Sequence, residues 1–121
     1  MALHNDFGTR GEELAKAFLE KSGYEILEQN WTFKKSEIDL IAYLNRKIVF
    51  VEVKTRSSSA FGQPEDFVNL AKQRQMTQAA EEYIYLMGHQ GEIRFDIIAI
   101  LWDAAGNHNL RHIPDAFWPA G

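Results

Sequence analysis

The 121-residue sequence contains no cysteine, only three prolines and no long hydrophobic run. The absence of cysteine excludes disulfide bonds and thiolate metal sites, and it makes the cytoplasm the expected compartment. Because no apolar run is long enough to cross a bilayer, we expect no membrane partner. The first residues lack the basic and apolar regions of a signal peptide, so no secretion signal is expected.

Positive charge is also in short supply, because 13 lysines and arginines face 17 aspartates and glutamates, for a net charge of −4. This balance argues against a nonspecific nucleic-acid coat protein, which needs clustered basic residues to bind phosphate. It leaves room for a local basic groove. The length and the 45% hydrophobic content predict a single domain spanning residues 1–121.

Hydrophobic periodicity predicts secondary-structure elements in the order α-β-β-β-α-β-β. The predicted ranges are a helix over 6–22, strands over 24–33, 37–44 and 47–55, a loop over 56–63, a helix over 64–87, and strands over 93–102 and 110–113. A hairpin core flanked by helices predicts an α/β sandwich with a mixed β-sheet.

The stretch from Val49 to Lys54 predicts an inner strand that carries charge. Glu52 and Lys54 are two residues apart, so their side chains leave the same face of the strand. Charged groups on a buried strand are costly unless they are paired or bound to a metal. This cost is the first indication of chemistry in the sequence.

The turn at residues 45–46 predicts a tight antiparallel hairpin. Counting back from this turn places Asp39 opposite Glu52 and Glu37 opposite Lys54, all on one face. The Cβ atoms of Asp39 and Glu52 would then lie roughly 5 Å apart, and like charges at that distance repel. A divalent cation between the two carboxylates would relieve the repulsion, and oxygen ligands suit Mg²⁺ or Mn²⁺.

The same charges have a second interpretation, as the solvated edge of a half-exposed sheet in which Lys54 merely pairs with a carboxylate. The hairpin register is also open, because Asn45-Arg46 is not a preferred two-residue turn. A loop of odd length would destroy the pairing of Asp39 with Glu52.

Two helical residues could extend this site. Glu12 is in phase with Leu19 and could point over the sheet as a third acidic group, or it could form a capping box with Thr9. Lys72 is in phase with Met76, so its side chain leaves from the buried side of the second helix. It could reach the site or a phosphate, or it could extend to solvent.

The polar residues outside this acidic cluster do not indicate a second functional site. Arg94 and Asp96 alternate on one face of the fourth strand and predict a structural ion pair. The histidines lie in predicted loops or element ends without the spacing of metal ligands, so we assign them no role.

Five stretches of sequence together carry a family resemblance: residues 11–15 (GEELA), 36–41 (SEIDLI), 49–56 (VFVEVKTR), 61–62 (FG) and 94–96 (RFD). In this order they resemble the uncharacterised YraN family of bacterial proteins. That family is similar to the PD-(D/E)XK nucleases, and among them to archaeal Holliday-junction resolvases. Ser36 stands where the family usually has glycine.

The resemblance implies a restriction-endonuclease-like fold and metal-dependent cleavage of a DNA phosphodiester. The nuclease pattern is a helix glutamate, an aspartate and then Glu-X-Lys, and it falls on Glu12, Asp39, Glu52 and Lys54. Asp39 and Glu52 would hold Mg²⁺ or Mn²⁺, with the carbonyl of Val53 as a further ligand. Lys54 would orient or stabilise the attacking water, and Glu12 would bind a second metal ion or a water.

Lys72, Arg56 and Thr55 are the residues that we expect to contact the nucleic acid. The expected partner is DNA, with branched and single-stranded DNA among the candidate substrates. Resolvase-like enzymes act as dimers, so a homodimer is compatible with the resemblance, although the residues themselves do not demand one. The alternative is a noncatalytic nucleic-acid-binding or protein-interaction module on the same fold.

Overall fold

The computed structural model describes residues 3–57 and 68–118, with side chains from residue 8 onward, and shows two helices and five strands. The elements are α1 (Leu3–Lys21), β1 (Glu25–Phe33), β2 (Ser36–Leu44), β3 (Lys47–Ser57), α2 (Leu70–Met87), β4 (Ile93–Trp102) and β5 (His108–Ile113). Their order is the predicted one, and the predicted bounds of β4 are confirmed.

The five strands form one mixed sheet in the order β1-β2-β3-β4-β5. The first three strands form an antiparallel meander, β3 and β4 are parallel, and β5 returns antiparallel to β4. Parallel strands need a crossover connection, and α2 lies in the segment between β3 and β4. The predicted α/β class with a mixed sheet is therefore confirmed.

The two helices cover opposite faces of the sheet. On one face, Ala15 and Leu19 of α1 pack with Val49 and Val51 of β3. On the other face, α2 packs against a cluster that includes Phe50. Neighbouring residues of β3 thus enter different cores, as expected for a central strand that is buried on both sides.

The hairpin between β2 and β3 has the predicted register where the two strands pair. The pairing runs from Leu44 with Lys47 back to Leu40 with Val51. The turn residues at 45 and 46 both have positive φ, of 52° and 67°. Positive φ at both positions is typical of the type I′ turn, whose twist matches that of the strands. An uncommon residue pair therefore forms a favourable two-residue turn.

Helix α2 begins at Leu70, not at residue 64 as we expected. Asn69 is extended, with φ −79° and ψ 174°, and its side chain accepts the backbone N–H of Lys72 at 2.9 Å. This N-cap sets the start of the helix. Residues 58–67, which include most of the predicted loop, lie outside the described residues.

Other bounds also differ from the prediction: α1 is Leu3–Lys21 instead of 6–22, and β1 begins at Glu25 and β2 at Ser36. Strand β3 continues to Ser57, and β5 begins at His108 rather than at residue 110. Within the described ranges, neither helix has the length and apolar character that crossing a bilayer requires.

A polar cluster under α1 joins β4 to β5. Asp96 has no exposed surface and receives donors from Arg94 at 2.8 Å twice, from His112 at 2.7 Å and from the backbone N–H of Asp115 at 2.9 Å. Arg94 also donates to the hydroxyl of Tyr24 at 2.6 Å. Burial alone would raise the pKa of Asp96, but His112, Arg94 and the N–H group together lower it.

The predicted ion pair between Arg94 and Asp96 is thus confirmed. His112, to which the sequence analysis gave no role, is its third member. Its partner lies 16 residues away in sequence, so no local pattern could have indicated the contact.

Candidate functional site

The alternation of faces along β2 is interrupted at Asp39. Ile38 and Ile41 both belong to the core under α2, whereas Leu40 belongs to the core under α1. In a regular strand Ile38 and Leu40 would share a face. At this irregularity, the backbone N–H of Val53 donates to Asp39 Oδ2 at 2.8 Å. The Asp39 carboxylate therefore accepts an N–H of β3 just beyond the point where the β2–β3 pairing ends.

One part of the predicted geometry does not hold. Glu37 was expected on the same face as Asp39, opposite Lys54, but its side chain is exposed and Ile38 is buried instead. The irregularity at Asp39 shifts the alternation of side chains along β2. The residues before Asp39 therefore point to the face opposite to the one that counting back from the turn predicts.

Asp39, which is half-buried, and Glu52, which is buried, form a coupled pair of carboxylates. Glu52 is only 2% exposed. Burial, followed by the charge of Glu52, raises the pKa of Asp39 to about 8, and the N–H of Val53 offsets only part of this shift. Two carboxylates that share a site cannot both ionise easily. Without a cation, the pair therefore keeps a proton near neutral pH.

The two oxygens of Glu52 have different surroundings. Oε2 lies 3.1 Å from Lys54 Nζ and 3.8 Å from Lys72 Nζ. Oε1 is buried and has no hydrogen-bond donor among the described residues when both carboxylates are ionised. A buried acceptor without a donor is costly and uncommon in proteins. Near neutral pH the proton that the pair keeps is shared in a hydrogen bond between Asp39 and Glu52, and a cation that replaces this proton would find Oε1 available.

Lys72 reaches the site, as its helical phase allowed. Besides its approach to Glu52, its ammonium donates to the backbone carbonyl of Glu37 at 3.3 Å. The side chain thus joins the first turn of α2 to β2 and β3 at the acidic pair.

Glu12 approaches the pair from the α1 side. The capping-box interpretation is wrong, because α1 begins at Leu3 and both Thr9 and Glu12 lie inside it. Burial raises the pKa of Glu12, as do the charges of Glu37 and Glu52, while a hydrogen bond with Asn30 opposes the shift. Asn30 was not among the residues predicted for the site. Its φ of 51° is tolerated by asparagine more readily than by most residues, and this is the only local signal.

Close packing of α1 on β3 fixes the position of Glu12. A Cβ atom at Gly11 would overlap the hydroxyl of Thr55, so only glycine fits at this crossing. Thr55 thus lies beneath α1. Arg56, the next residue, is exposed and donates to the carbonyl of Thr55 at 2.9 Å.

The site offers a divalent cation two carboxylate side chains, Asp39 and Glu52, so its remaining ligands would not be acidic side chains. Within residues 8–57 and 68–118, whose side chains the structure describes, no three histidine, aspartate or glutamate side chains are grouped so as to hold an ion. Asp39 and Glu52 nevertheless offer a free buried oxygen and a repulsion that a cation would relieve. Mg²⁺ commonly binds through one or two carboxylates and keeps several waters. The pair therefore fits such an ion.

Sequence comparisons agree with the motif pattern. The model of the uncharacterised protein family UPF0102 matches residues 11–100. A UPF0102 protein of Flavobacterium psychrophilum is 50% identical over 118 residues, which cover 98% of each chain. UPF0102 proteins of Christiangramia forsetii and Bacteroides thetaiotaomicron are 44% and 42% identical, again over 98% of each chain. The chain belongs to the uncharacterised protein family UPF0102.

Proposed function

We propose that this protein is a metal-dependent nuclease that hydrolyses DNA phosphodiester bonds. The observation that carries the proposal is the pair of Asp39 and the buried Glu52, in which Glu52 Oε1 lacks a donor when both are ionised and Lys54 Nζ lies 3.1 Å from Oε2. Strongly perturbed carboxylates cluster at functional sites. Two carboxylates beside an ammonium suit hydrolysis by activated water, without a covalent intermediate.

Each residue of the site has a place in this proposal. Asp39 and Glu52 would hold Mg²⁺ or Mn²⁺, together with the carbonyl of Val53. The bound cation would supply a Lewis acid that activates water and stabilises charge on the phosphate. The Lys54 ammonium would stabilise the same developing charge. Glu12, which approaches from α1, would hold a water or a second cation.

The substrate would lie along the exposed end of β3 and the first turn of α2. Lys72 and Arg56 belong to these two elements and would contact the phosphodiester backbone, whereas the hydroxyl of Thr55, the third residue expected to do so, packs against Gly11 of α1. Branched and single-stranded DNA are the structures to test first, together with duplex DNA, in a role in repair or recombination. A cytoplasmic location and action as a homodimer belong to the same proposal.

The direct test is cleavage by the purified protein with Mg²⁺ or Mn²⁺ on single-stranded, duplex and branched DNA. We expect the Asp39→Asn/Lys54→Ala variant to lose cleavage by at least about 10²-fold, because it lacks a ligand and the ammonium. Lys47→Met is the matched control, since Lys47 pairs with Glu92 on the surface at 3.9 Å and should leave cleavage unchanged.

Cleavage that persists in the double variant would contradict the proposal and indicate a contaminating nuclease. DNA binding without cleavage, unaffected by chelator and by Asp39→Asn, would support the noncatalytic binding module instead. If neither binding nor cleavage occurs, and Glu52→Gln alters only stability, the acidic cluster is structural and the nuclease proposal is wrong.

A further inference from the structure

Lys72 is the one cation that α2 contributes to the acidic pair. The N-cap at Asn69 fixes its backbone, and its side chain, 27% exposed, bends to the carbonyl of Glu37 at 3.3 Å. Its Nζ atom stops 3.8 Å from Glu52 Oε2, which is beyond hydrogen-bond distance but within ion-pair distance. Lys72 therefore neutralises Glu52 without making a strong bond to it.

Lys54 and Lys72 differ in how firmly they hold Glu52. Lys54 lies on the same strand, two residues away, and approaches the same oxygen to 3.1 Å. Lys72 comes from another layer of the fold, and its only hydrogen-bond acceptor within the described ranges is a carbonyl group. A flexible four-carbon stem that ends in a strongly hydrated ammonium can change partners readily. Lys72 is thus the more easily displaced of the two cations.

A carboxylate as buried as Glu52 needs a counter-charge at all times. In the metal-free protein the two ammoniums provide it. A divalent cation at Oε1 would make the second ammonium redundant and would repel it, since like charges a few ångströms apart interact strongly near a protein surface.

We propose that Lys72 is a displaceable counter-ion, which neutralises Glu52 in the metal-free protein and turns to a substrate phosphate when a divalent cation binds. This inference rests on the proposed function and adds to it a coupling between metal binding and phosphate binding. Lys72 competes with the cation for Glu52. Once the cation displaces it, its ammonium group is free to bind a phosphate of the substrate beside the metal site.

The first test is Mn²⁺ affinity, measured through the electron paramagnetic resonance signal of free Mn²⁺ at low salt and neutral pH. Lys72→Met should bind Mn²⁺ roughly three- to tenfold more tightly than the unmodified protein, because a like charge next to the ion is gone. Lys72→Gln should behave similarly and guards against a folding defect peculiar to one variant. Lys72→Arg and the distant control Lys47→Met should bind within about twofold of the unmodified protein.

The outcomes separate this inference from the proposed function. If the unmodified protein binds no Mn²⁺, the metal site and the Lys72 inference both fail. If it binds Mn²⁺ and both neutral variants bind it equally or more weakly, only the inference about Lys72 is overturned.

The second test measures binding of a fluorescent DNA duplex, with chelator and with Ca²⁺. Lys72→Met should match the unmodified protein in chelator and bind several-fold more weakly with Ca²⁺, with a salt dependence reduced by about one phosphate contact. A purely structural lysine would change binding equally in both conditions, and that result would overturn the proposed turn to phosphate.

Discussion

Two aspartates of the sheet, the buried Asp96 and the half-buried Asp39, are in opposite electrostatic states. Asp96 receives four donor contacts from Arg94, His112 and Asp115, and its pKa is lowered although it has no exposed surface. Asp39 receives one backbone N–H, faces the carboxylate of Glu52, and has a pKa raised to about 8. Both are carboxylates on neighbouring parts of the same sheet.

The difference in pKa follows from the partners, because Asp96 is the more deeply buried of the two and yet has the lowered pKa. A buried carboxylate that is fully hydrogen-bonded to cations and N–H groups holds a fold together. A buried carboxylate next to another one is a cost to the fold unless something binds there. The comparison therefore assigns Asp96 to stability and makes Asp39 the candidate for chemistry.

The largest expected effect is that of Asp96→Asn on stability. The substitution leaves Arg94 without its counter-charge and turns an amide group toward the donors, so we expect a loss of about 3 kcal/mol in the free energy of unfolding. Urea denaturation measures it. Asp103→Asn is the matched control, because Asp103 also accepts backbone N–H groups but is exposed. A loss below about 1 kcal/mol for Asp96→Asn would contradict the assignment of Asp96 to stability.

Asp39→Asn should raise the free energy of unfolding, whereas Asp96→Asn lowers it, and the effect of Asp39→Asn should depend on pH. The folded protein holds a proton on Asp39 up to about pH 8, whereas the unfolded chain loses it near its ordinary pKa of 3.8. The stability that this proton contributes is complete below pH 3.8 and is lost as the pH rises through about 8. Asparagine still accepts the N–H of Val53 and carries no charge, so the variant should gain at least about 1 kcal/mol on the unmodified protein between pH 5 and pH 8.

Denaturation with chelator at several pH values tests this prediction. The contribution of Asp96 should run the other way, present above the ordinary aspartate pKa and lost as pH falls below it, because its folded pKa is lowered. Parallel pH profiles for Asp39→Asn and Asp96→Asn, each relative to the unmodified protein, would contradict the comparison.

A smaller effect is expected at the edge of the Asp96 cluster. Tyr24→Phe removes the hydroxyl that accepts a hydrogen bond from Arg94 at 2.6 Å, and should cost about 1 kcal/mol of stability. Tyr85→Phe is the control, since Tyr85 is 80% exposed. Equal melting temperatures for the two variants would show that the hydroxyl adds nothing to the cluster.

The smallest stability change is expected for Glu12→Gln, at the edge of the acidic pair. Glutamine keeps the hydrogen bond with Asn30 and removes a charge that adds to the local repulsion, so stability should change by less than about 0.5 kcal/mol. Under the proposed function, metal-dependent cleavage should nevertheless fall about tenfold. Glu13→Gln, on the neighbouring exposed residue, should alter neither quantity. A large stability loss for Glu12→Gln would assign Glu12 to the fold.

Much of the fold could be predicted because local patterns specify it. The alternation over Ile93–Trp102 gave β4 its correct bounds, and the two-residue turn gave the β2–β3 register as far as Leu40. The start of α2 was predicted wrongly because proline at residue 64 suggested a first turn, whereas the cap is Asn69. Both residue types are typical of helix starts, and sequence alone does not rank them.

The candidate site was predictable in its residues but not in its details. Asp39, Glu52 and Lys54 follow from strand periodicity and hairpin length, which act over a few residues. The irregularity at Asp39, the roles of Asn30 and His112, and the two contacts of Lys72 depend on residues from different layers of the fold.

By itself, the sequence determined the order of helices and strands and the placing of two acidic residues near one another on adjacent strands. Backbone periodicity and turn length act locally, so they can be counted along the chain. Only the tertiary structure decided which carboxylate is neutralised and which keeps a proton, because burial and donors come from distant segments. The functional difference between Asp39 and Asp96 therefore exists only in the folded protein.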